Sequence, residues 1–174
     1  CVNYANSKGY SPLMIASSNG KGAIVRRLIE AKAHLNKKKI DTGDTALMRA
    51  ALSGQKEIVG MLLMCKADVN QRTNRGETAL TWGVIAGNVP IVNMICMAKA
   101  DVGVRCYVDQ STPLLAACKK GSVEVVRCLL KHNAKPTAAE RDAASRHGNI
   151  GILAILDAGG GLTRPSHHGN FVDI

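Results

Sequence analysis

The side chains of this chain with the most chemical character are an indole, a guanidinium and carboxylates, and they favour recognition rather than catalysis. Trp82 is the single tryptophan of the 174 residues, and tryptophan and arginine are enriched at the energetic centres of binding sites. Arg49 lies near Trp82 in the register described below, and the carboxylates Asp44 and Glu77 fall on the turns that precede these two residues. An indole, a guanidinium and two carboxylates can hold a peptide through apolar contact and ion pairing, provided that regular elements bring them together.

Patterns typical of catalysis or metal binding are missing from the sequence. We find no glycine-rich phosphate loop, no convincing pair of carboxylates on one face and no cysteine with an evident histidine partner. The six cysteines form no Cys-x-x-Cys pair, so we interpret them as reduced, buried thiols of an intracellular protein. His167 and His168 are adjacent in a glycine-flanked tail, where histidines are more often solvated than metal-bound. We expect no enzymatic activity, no cofactor and no metal.

One motif occurs four times at intervals of about 33 or 34 residues. The copies begin at Gly9, Gly43, Gly76 and Gln110. Each copy continues with small residues, a glycine, an apolar run and an ending similar to Asp68-Val69-Asn70. A fixed period of this length is typical of a solenoid, in which recognition takes place on a surface.

Each copy contains the signals of two short helices. Hydroxyl side chains suited to N-capping the first helix stand at Ser11, Thr45, Thr78 and Thr112. In the second copy the first helix ends near Gly54, and Ile58, Met61 and Leu62 then return at helical spacing. One such unit cannot bury its apolar face alone, so neighbouring units must stack. We predict an all-α solenoid of helix-turn-helix units joined by hairpin-like turns.

This motif resembles the ankyrin repeat over about residues 2 to 160. The matching residues of the second copy are Gly43, Thr45, Leu47, Ala50, Ala51, Gly54, Ile58, Val59, Leu62, Leu63, Ala67, Asp68, Val69 and Asn70. The chain also departs from the family pattern. The family's histidine is replaced by Met14, Met48, Thr81 and Leu115, and its turn glycine by Gln110. The glycine after the second helix is replaced by Lys32, Lys66, Lys99 and Asn133.

The register of the motif predicts the organisation of the chain. Residues 1–6 resemble the tail of a preceding repeat, which indicates a fragment of a longer array. Residues 7–39, 40–72, 73–106 and 107–135 are four predicted repeats, 136–161 a shortened C-terminal capping repeat, and 162–174 a tail or linker. The capping repeat opens with Thr137 and Glu140 at the spacing of a capping box.

The resemblance implies a non-catalytic module that binds a protein or peptide on the concave face of the stack. The expected partner-binding residues are Tyr10, Asp44, Arg49, Leu52, Glu77, Trp82, Ile85, Lys119 and Lys120. We expect apolar anchors of an extended peptide on Leu52, Trp82 and Ile85, and a basic residue of the peptide near Asp44 and Glu77. The alternative is that Trp82 fills space between helices beside Gly83, and that Leu52 and Ile85 only pack between repeats.

The net charge of +10 favours acidic partners and leaves two other functions open. A nucleic-acid-binding edge would use Lys37, Lys38, Lys39, Arg72, Arg75 and Arg105. The aromatic content of 3% argues against base stacking, and the spread of the charges favours a solvated face. The second alternative is a structural spacer within a larger multidomain protein. We expect a monomeric intracellular domain, cytoplasmic or nuclear, with no apolar run of about 18 residues that could span a membrane.

Overall fold

The described residues, 2–159 of the computed structural model, form ten helices in five consecutive pairs. The helices are α1 (Pro12–Ser18), α2 (Gly22–Glu30), α3 (Ala46–Leu52), α4 (Lys56–Met64), α5 (Ala79–Ala86), α6 (Val89–Met97), α7 (Pro113–Lys120), α8 (Val123–Lys131), α9 (Ala138–Arg146) and α10 (Ile150–Gly159). This confirms the all-α solenoid. Cys1 and the predicted tail with His167 and His168 lie outside the described residues.

The helices form two layers. The first helices of the pairs, α1, α3, α5, α7 and α9, pack against one another in that order, and the second helices form the other layer. Between the layers lies an aliphatic core in which Leu47, Leu80 and Leu114 occupy the same place in successive repeats and are at most 1% exposed. Such a core is continuous along the stack, so each pair covers the apolar face of the next.

Hydroxyl N-caps start the first helices as the sequence predicts. Ser11, Thr45, Thr78 and Thr112 each accept a hydrogen bond from the backbone N–H three residues later. At the position of the family's histidine stands Thr81, whose hydroxyl oxygen accepts a hydrogen bond from the backbone N–H of Thr78 at 3.4 Å. In two other copies Met14 and Met48 fill the position with buried apolar side chains. The missing histidine is therefore replaced in two different physical ways.

A projecting hairpin-like turn, which we call a finger, precedes the first helix of each repeat. Numbered by the repeat that follows them, the first to fourth fingers are closed by backbone bonds from Asn6 N to Tyr10 O, from Lys39 N to Asp44 O, from Thr73 N to Glu77 O and from Cys106 N to Ser111 O. Neighbouring fingers are also joined directly, because Asn74 N donates to Thr42 O at 3.0 Å and Tyr107 N donates to Arg75 O at 2.8 Å. The fingers thus form a continuous edge beside the first helices.

An asparagine ladder links the repeats at the base of the fingers. The side-chain oxygens of Asn3, Asn36 and Asn70 accept hydrogen bonds from the backbone N–H groups of His34, Asp68 and Asp101, each at 2.8 Å. Each bond satisfies a backbone donor of the following repeat. This contact is a physical reason for the asparagine in the repeated Asp-Val-Asn ending.

The residues that replace the family's glycines keep the left-handed backbone. Lys32, Lys66, Lys99 and Asn133 have φ between 61° and 65°, and Gln110 has φ of 54°. A residue with a Cβ pays roughly 1–2 kcal/mol for this conformation. The turn geometry of the repeats is therefore retained despite the substitutions.

Four of the five described cysteines lie buried in the stack. Cys96, Cys106, Cys118 and Cys128 are buried and Cys65 is exposed, and all five are free thiols. Burial raises the pKa of Cys96 and of Cys118 to about 12, since the thiolate would lose its hydration.

We expect thiol reactivity in the native protein to follow this burial. The thiolate is the reactive form, so iodoacetamide at pH 8 should alkylate Cys65 at least about tenfold faster than Cys96 or Cys118. Peptide mass spectrometry after timed quenching measures each site separately. Alkylation of Cys118 as fast as Cys65 would contradict the packing of α7 described above.

Candidate protein-interaction site

A hydrogen bond donated to the third finger fixes the orientation of the Trp82 indole. Trp82 Nε1 donates to Glu77 Oε2 at 3.1 Å, and the same oxygen lies 3.4 Å from the Thr73 hydroxyl. Trp82 is partly buried, since it packs on the core and also faces the first-helix side. A tryptophan held in this way presents a rigid apolar surface at little further cost in side-chain entropy.

The second finger carries a closed ion-pair cluster. Arg49 Nη1 lies 2.8 Å from Asp44 Oδ2, and its guanidinium stacks on the Tyr10 ring at 4.6 Å from the centroid. Asp44 is 1% exposed. Burial alone would raise its pKa, but hydrogen bonds from Thr42 and Arg49 outweigh burial and lower the pKa. Asp44 thus already has a basic partner within the chain, Arg49, and its pairing with a basic residue of a peptide stays a prediction.

Two adjoining depressions run along the finger tips and first helices, and we call them together the central groove. One has a volume of about 310 Å³ and is lined by Tyr10, Asp41, Thr42, Asp44, Arg49, Thr73, Asn74, Arg75, Glu77 and Trp82. The other has a volume of about 320 Å³ and is lined by Arg75, Glu77, Thr81, Ile85, Cys106, Val108, Asp109, Ser111, Ala116 and Lys119. Arg75 and Glu77 belong to both and form the ridge between them.

The remaining residues predicted for the site lie on the same side but differ in role. Ile85 and Leu52 are 46% and 44% exposed, and Ile85 lines the groove whereas Leu52 does not. Lys119 lines the groove and lies 4.0 Å from the Asp109 carboxylate. Lys120 donates to the backbone oxygen of Ile85 at the end of α5. The structure therefore brings together most, though not all, of the predicted set.

Residues of the alternative basic edge largely connect repeats. The ammonium groups of Lys37 and Lys38 donate to the backbone oxygens of Asn3 and Arg72, and Arg72 donates to the Tyr107 hydroxyl at 3.2 Å. Lys39 is 7% exposed and pairs with Asp41 at 2.8 Å. Arg105 donates to the oxygen of Gln110 in its own finger. These cations thus serve contacts within and between repeats, and a phosphate-binding role for them stays a prediction.

Arg75 is the member of the basic-edge set that the structure places in the central groove. Its side chain is exposed at the tip of the third finger, and its backbone oxygen accepts the bond from Tyr107 described above. Sequence reasoning grouped it with Arg72 and Arg105 because all three fall in links between repeats. The finger geometry separates them, since Arg75 lies on the tip and Arg72 at the base.

Stacked helix pairs with projecting fingers and a groove along the first helices define a helical repeat solenoid. The family model for ankyrin repeats (3 copies) matches residues 2–73, 41–106 and 61–140. The chain therefore belongs to the ankyrin repeat family. Ankyrin repeats are in general protein–protein interaction modules without catalytic activity.

Two curated relatives share part of this array. The chain is 45% identical over 71 residues to "Ankyrin repeat and SAM domain-containing protein 6" of Rattus norvegicus, which is 41% of this chain and 8% of the relative. It is 44% identical over 71 residues to the protein of the same name from Mus musculus, with the same coverage. The match thus spans less than a tenth of either relative. Separately, no helix in residues 2–159 is both long and apolar enough to cross a membrane.

Proposed function

We propose that this chain binds an extended segment of a protein partner in the central groove, on the concave face formed by the fingers and first helices. The observation that carries the proposal is the Trp82 indole, which is held by Glu77 at 3.1 Å and lines one of the two depressions. A fixed aromatic surface beside exposed arginine is the usual composition of a binding hot spot.

The exposed apolar residues on the same side support this assignment. Ile15, Leu52 and Ile85, on three successive first helices, are 39%, 44% and 46% exposed. They lie one to a repeat in the layer of first helices that also holds Trp82. An extended chain laid across the first helices would cover these side chains in turn, which gives a peptide apolar contacts in several repeats.

Selection of peptides from an unbiased phage-displayed library tests the proposal. The affinities of selected peptides are then measured for the unmodified chain and for Trp82→Ala. Since truncating a hot-spot residue costs about 2 kcal/mol or more, we expect binding to weaken by about 30-fold. Calorimetry or fluorescence anisotropy at physiological salt measures the change.

Met64→Ala is the matched control on the opposite layer. Met64 is 85% exposed at the end of α4, so its truncation should leave both the fold and peptide affinity unchanged. Peptides that lose affinity with Met64→Ala and keep it with Trp82→Ala would place binding on the second helices and overturn the proposal.

A further inference from the structure

We infer that the partner segment, bound as proposed above, carries a carboxylate that pairs with Arg75, between two apolar side chains that occupy the two depressions. The inference rests on the proposed function and specifies the chemistry of the partner. It follows from the charges that line the groove, from the net charge of the chain and from the spacing of the repeats.

The cations of the central groove differ in how they are neutralised. Arg49 lies 2.8 Å from the Asp44 carboxylate, and Lys119 lies 4.0 Å from that of Asp109. Within residues 2–159, the Arg75 guanidinium has no carboxylate within 4.0 Å and donates no side-chain hydrogen bond. Arg75 is therefore the groove cation without an acceptor.

The carboxylates of the groove, in contrast, all have donors. Asp41 is bound by Lys39 at 2.8 Å, and Asp44 by Arg49 as above. Glu77 accepts from the Trp82 indole at 3.1 Å, and Asp109 accepts from the Ser111 hydroxyl at 2.7 Å. The group that the groove lacks is thus an acceptor for Arg75, and a planar guanidinium matches a carboxylate with two parallel N–H donors.

The net charge of the whole chain also favours an acidic partner. A net charge of +10 attracts an acidic segment over distances beyond direct contact and accelerates its association. A basic segment would be repelled by the chain and would find the groove carboxylates already bound to donors. An acidic partner agrees with both the local and the overall electrostatics.

The position of Arg75 between the depressions defines the order of side chains in the partner. Trp82 and Tyr10 supply the apolar wall of one depression, and Ile85 and Val108 that of the other. Stacked helices lie roughly 10 Å apart, and an extended chain covers this distance in about three residues. The expected segment therefore has two apolar residues about three positions apart, with aspartate or glutamate between them.

Charge reversal at Arg75 tests the inference with peptides selected on the unmodified chain. We expect the selected peptides to share the acidic residue, and Arg75→Glu to weaken their binding at least about tenfold. Changing the peptide's aspartate to asparagine should weaken binding to the unmodified chain and have little effect on binding to Arg75→Glu. Arg127→Glu, an exposed site on α8, makes the same change in net charge and should cost less than about threefold.

The outcomes separate this inference from the proposed function. Peptides that depend on Trp82 but carry no acidic residue, or bind Arg75→Glu as well as the unmodified chain, would overturn the inference and leave the groove as the site. Equal losses with Arg75→Glu and Arg127→Glu would also overturn it, because long-range attraction alone would then account for the effect. Peptides indifferent to Trp82→Ala would overturn both.

Discussion

Replacing Gly76 with alanine should lower the free energy of unfolding by about 3 kcal/mol. Gly76 has φ of +82°, and a Cβ there would lie 2.9 Å from the backbone nitrogen of Tyr107. That nitrogen donates to Arg75 O and joins the third finger to the fourth. Alanine would incur roughly 1–2 kcal/mol for the left-handed backbone and about 1 kcal/mol or more for the disturbed hydrogen bond.

Gly54→Ala separates the two contributions. Gly54 has φ of +71°, but a Cβ there meets only the Asn88 amide at 3.5 Å, an ordinary contact. This variant should therefore lose only the backbone cost, about 1–2 kcal/mol. Urea unfolding followed by circular dichroism gives both values. An equal loss in the two variants would show that the fingers are not in close contact.

Replacing Glu140 with alanine should destabilise the helix pair α9 and α10 by roughly 3 kcal/mol, because hydrogen bonds to a charged group are each worth about 1.5–3 kcal/mol. Glu140 is 1% exposed. Its carboxylate accepts from the backbone N–H of Thr137 at 2.8 Å and from the Thr112 hydroxyl at 2.8 Å. The second bond joins the last repeat to the one before it, so its loss weakens their interface.

The pH dependence of unfolding gives an independent test of this carboxylate. Burial would raise the pKa of Glu140, but hydrogen bonds from Thr137 and Thr112 outweigh burial and lower it. A lowered pKa in the folded state adds stability above the ordinary value of 4.5, and this stability is lost as the pH falls through the folded pKa.

Glu140→Gln supplies the comparison, because it keeps the shape and removes the charge. Asp44 has a lowered pKa as well, so the useful quantity is the difference between the unmodified chain and Glu140→Gln at each pH. Urea unfolding at a series of pH values should show a large difference at pH 7 that shrinks below pH 4.5, as the pH falls through the lowered pKa of Glu140. A difference independent of pH would contradict the account.

Repetition made the helices and caps predictable from the sequence. A local signal such as Thr45 before an apolar run depends on nearby backbone alone, and four copies of it reinforce one another. The same holds for the capping box at Thr137 and Glu140, which the structure contains. That Glu140 also reaches Thr112 was beyond prediction, because the contact depends on how the last two repeats pack.

The hydrogen bonds inside the candidate site were harder to predict, because they depend on how the side chains of a finger and of the following helix are oriented. Sequence reasoning left Asp44 open to a partner, whereas the structure pairs it with Arg49. A signal was present, since Glu77 and Trp82 have the same spacing of five residues and are also hydrogen-bonded. Which residues bind a partner remains a prediction, because binding depends on a second molecule.

The most direct test of a binding groove at Trp82 is the indole N–H resonance in a ¹H–¹⁵N correlation spectrum. The sequence holds one tryptophan, so this signal is unambiguous and reports on the bond to Glu77. Titration with a library-selected peptide should shift the indole resonance in proportion to occupancy, while the methyl resonance of Met64, followed in a ¹H–¹³C correlation spectrum, stays in place. A bound peptide that leaves the indole unshifted and moves the Met64 methyl would contradict the central claim.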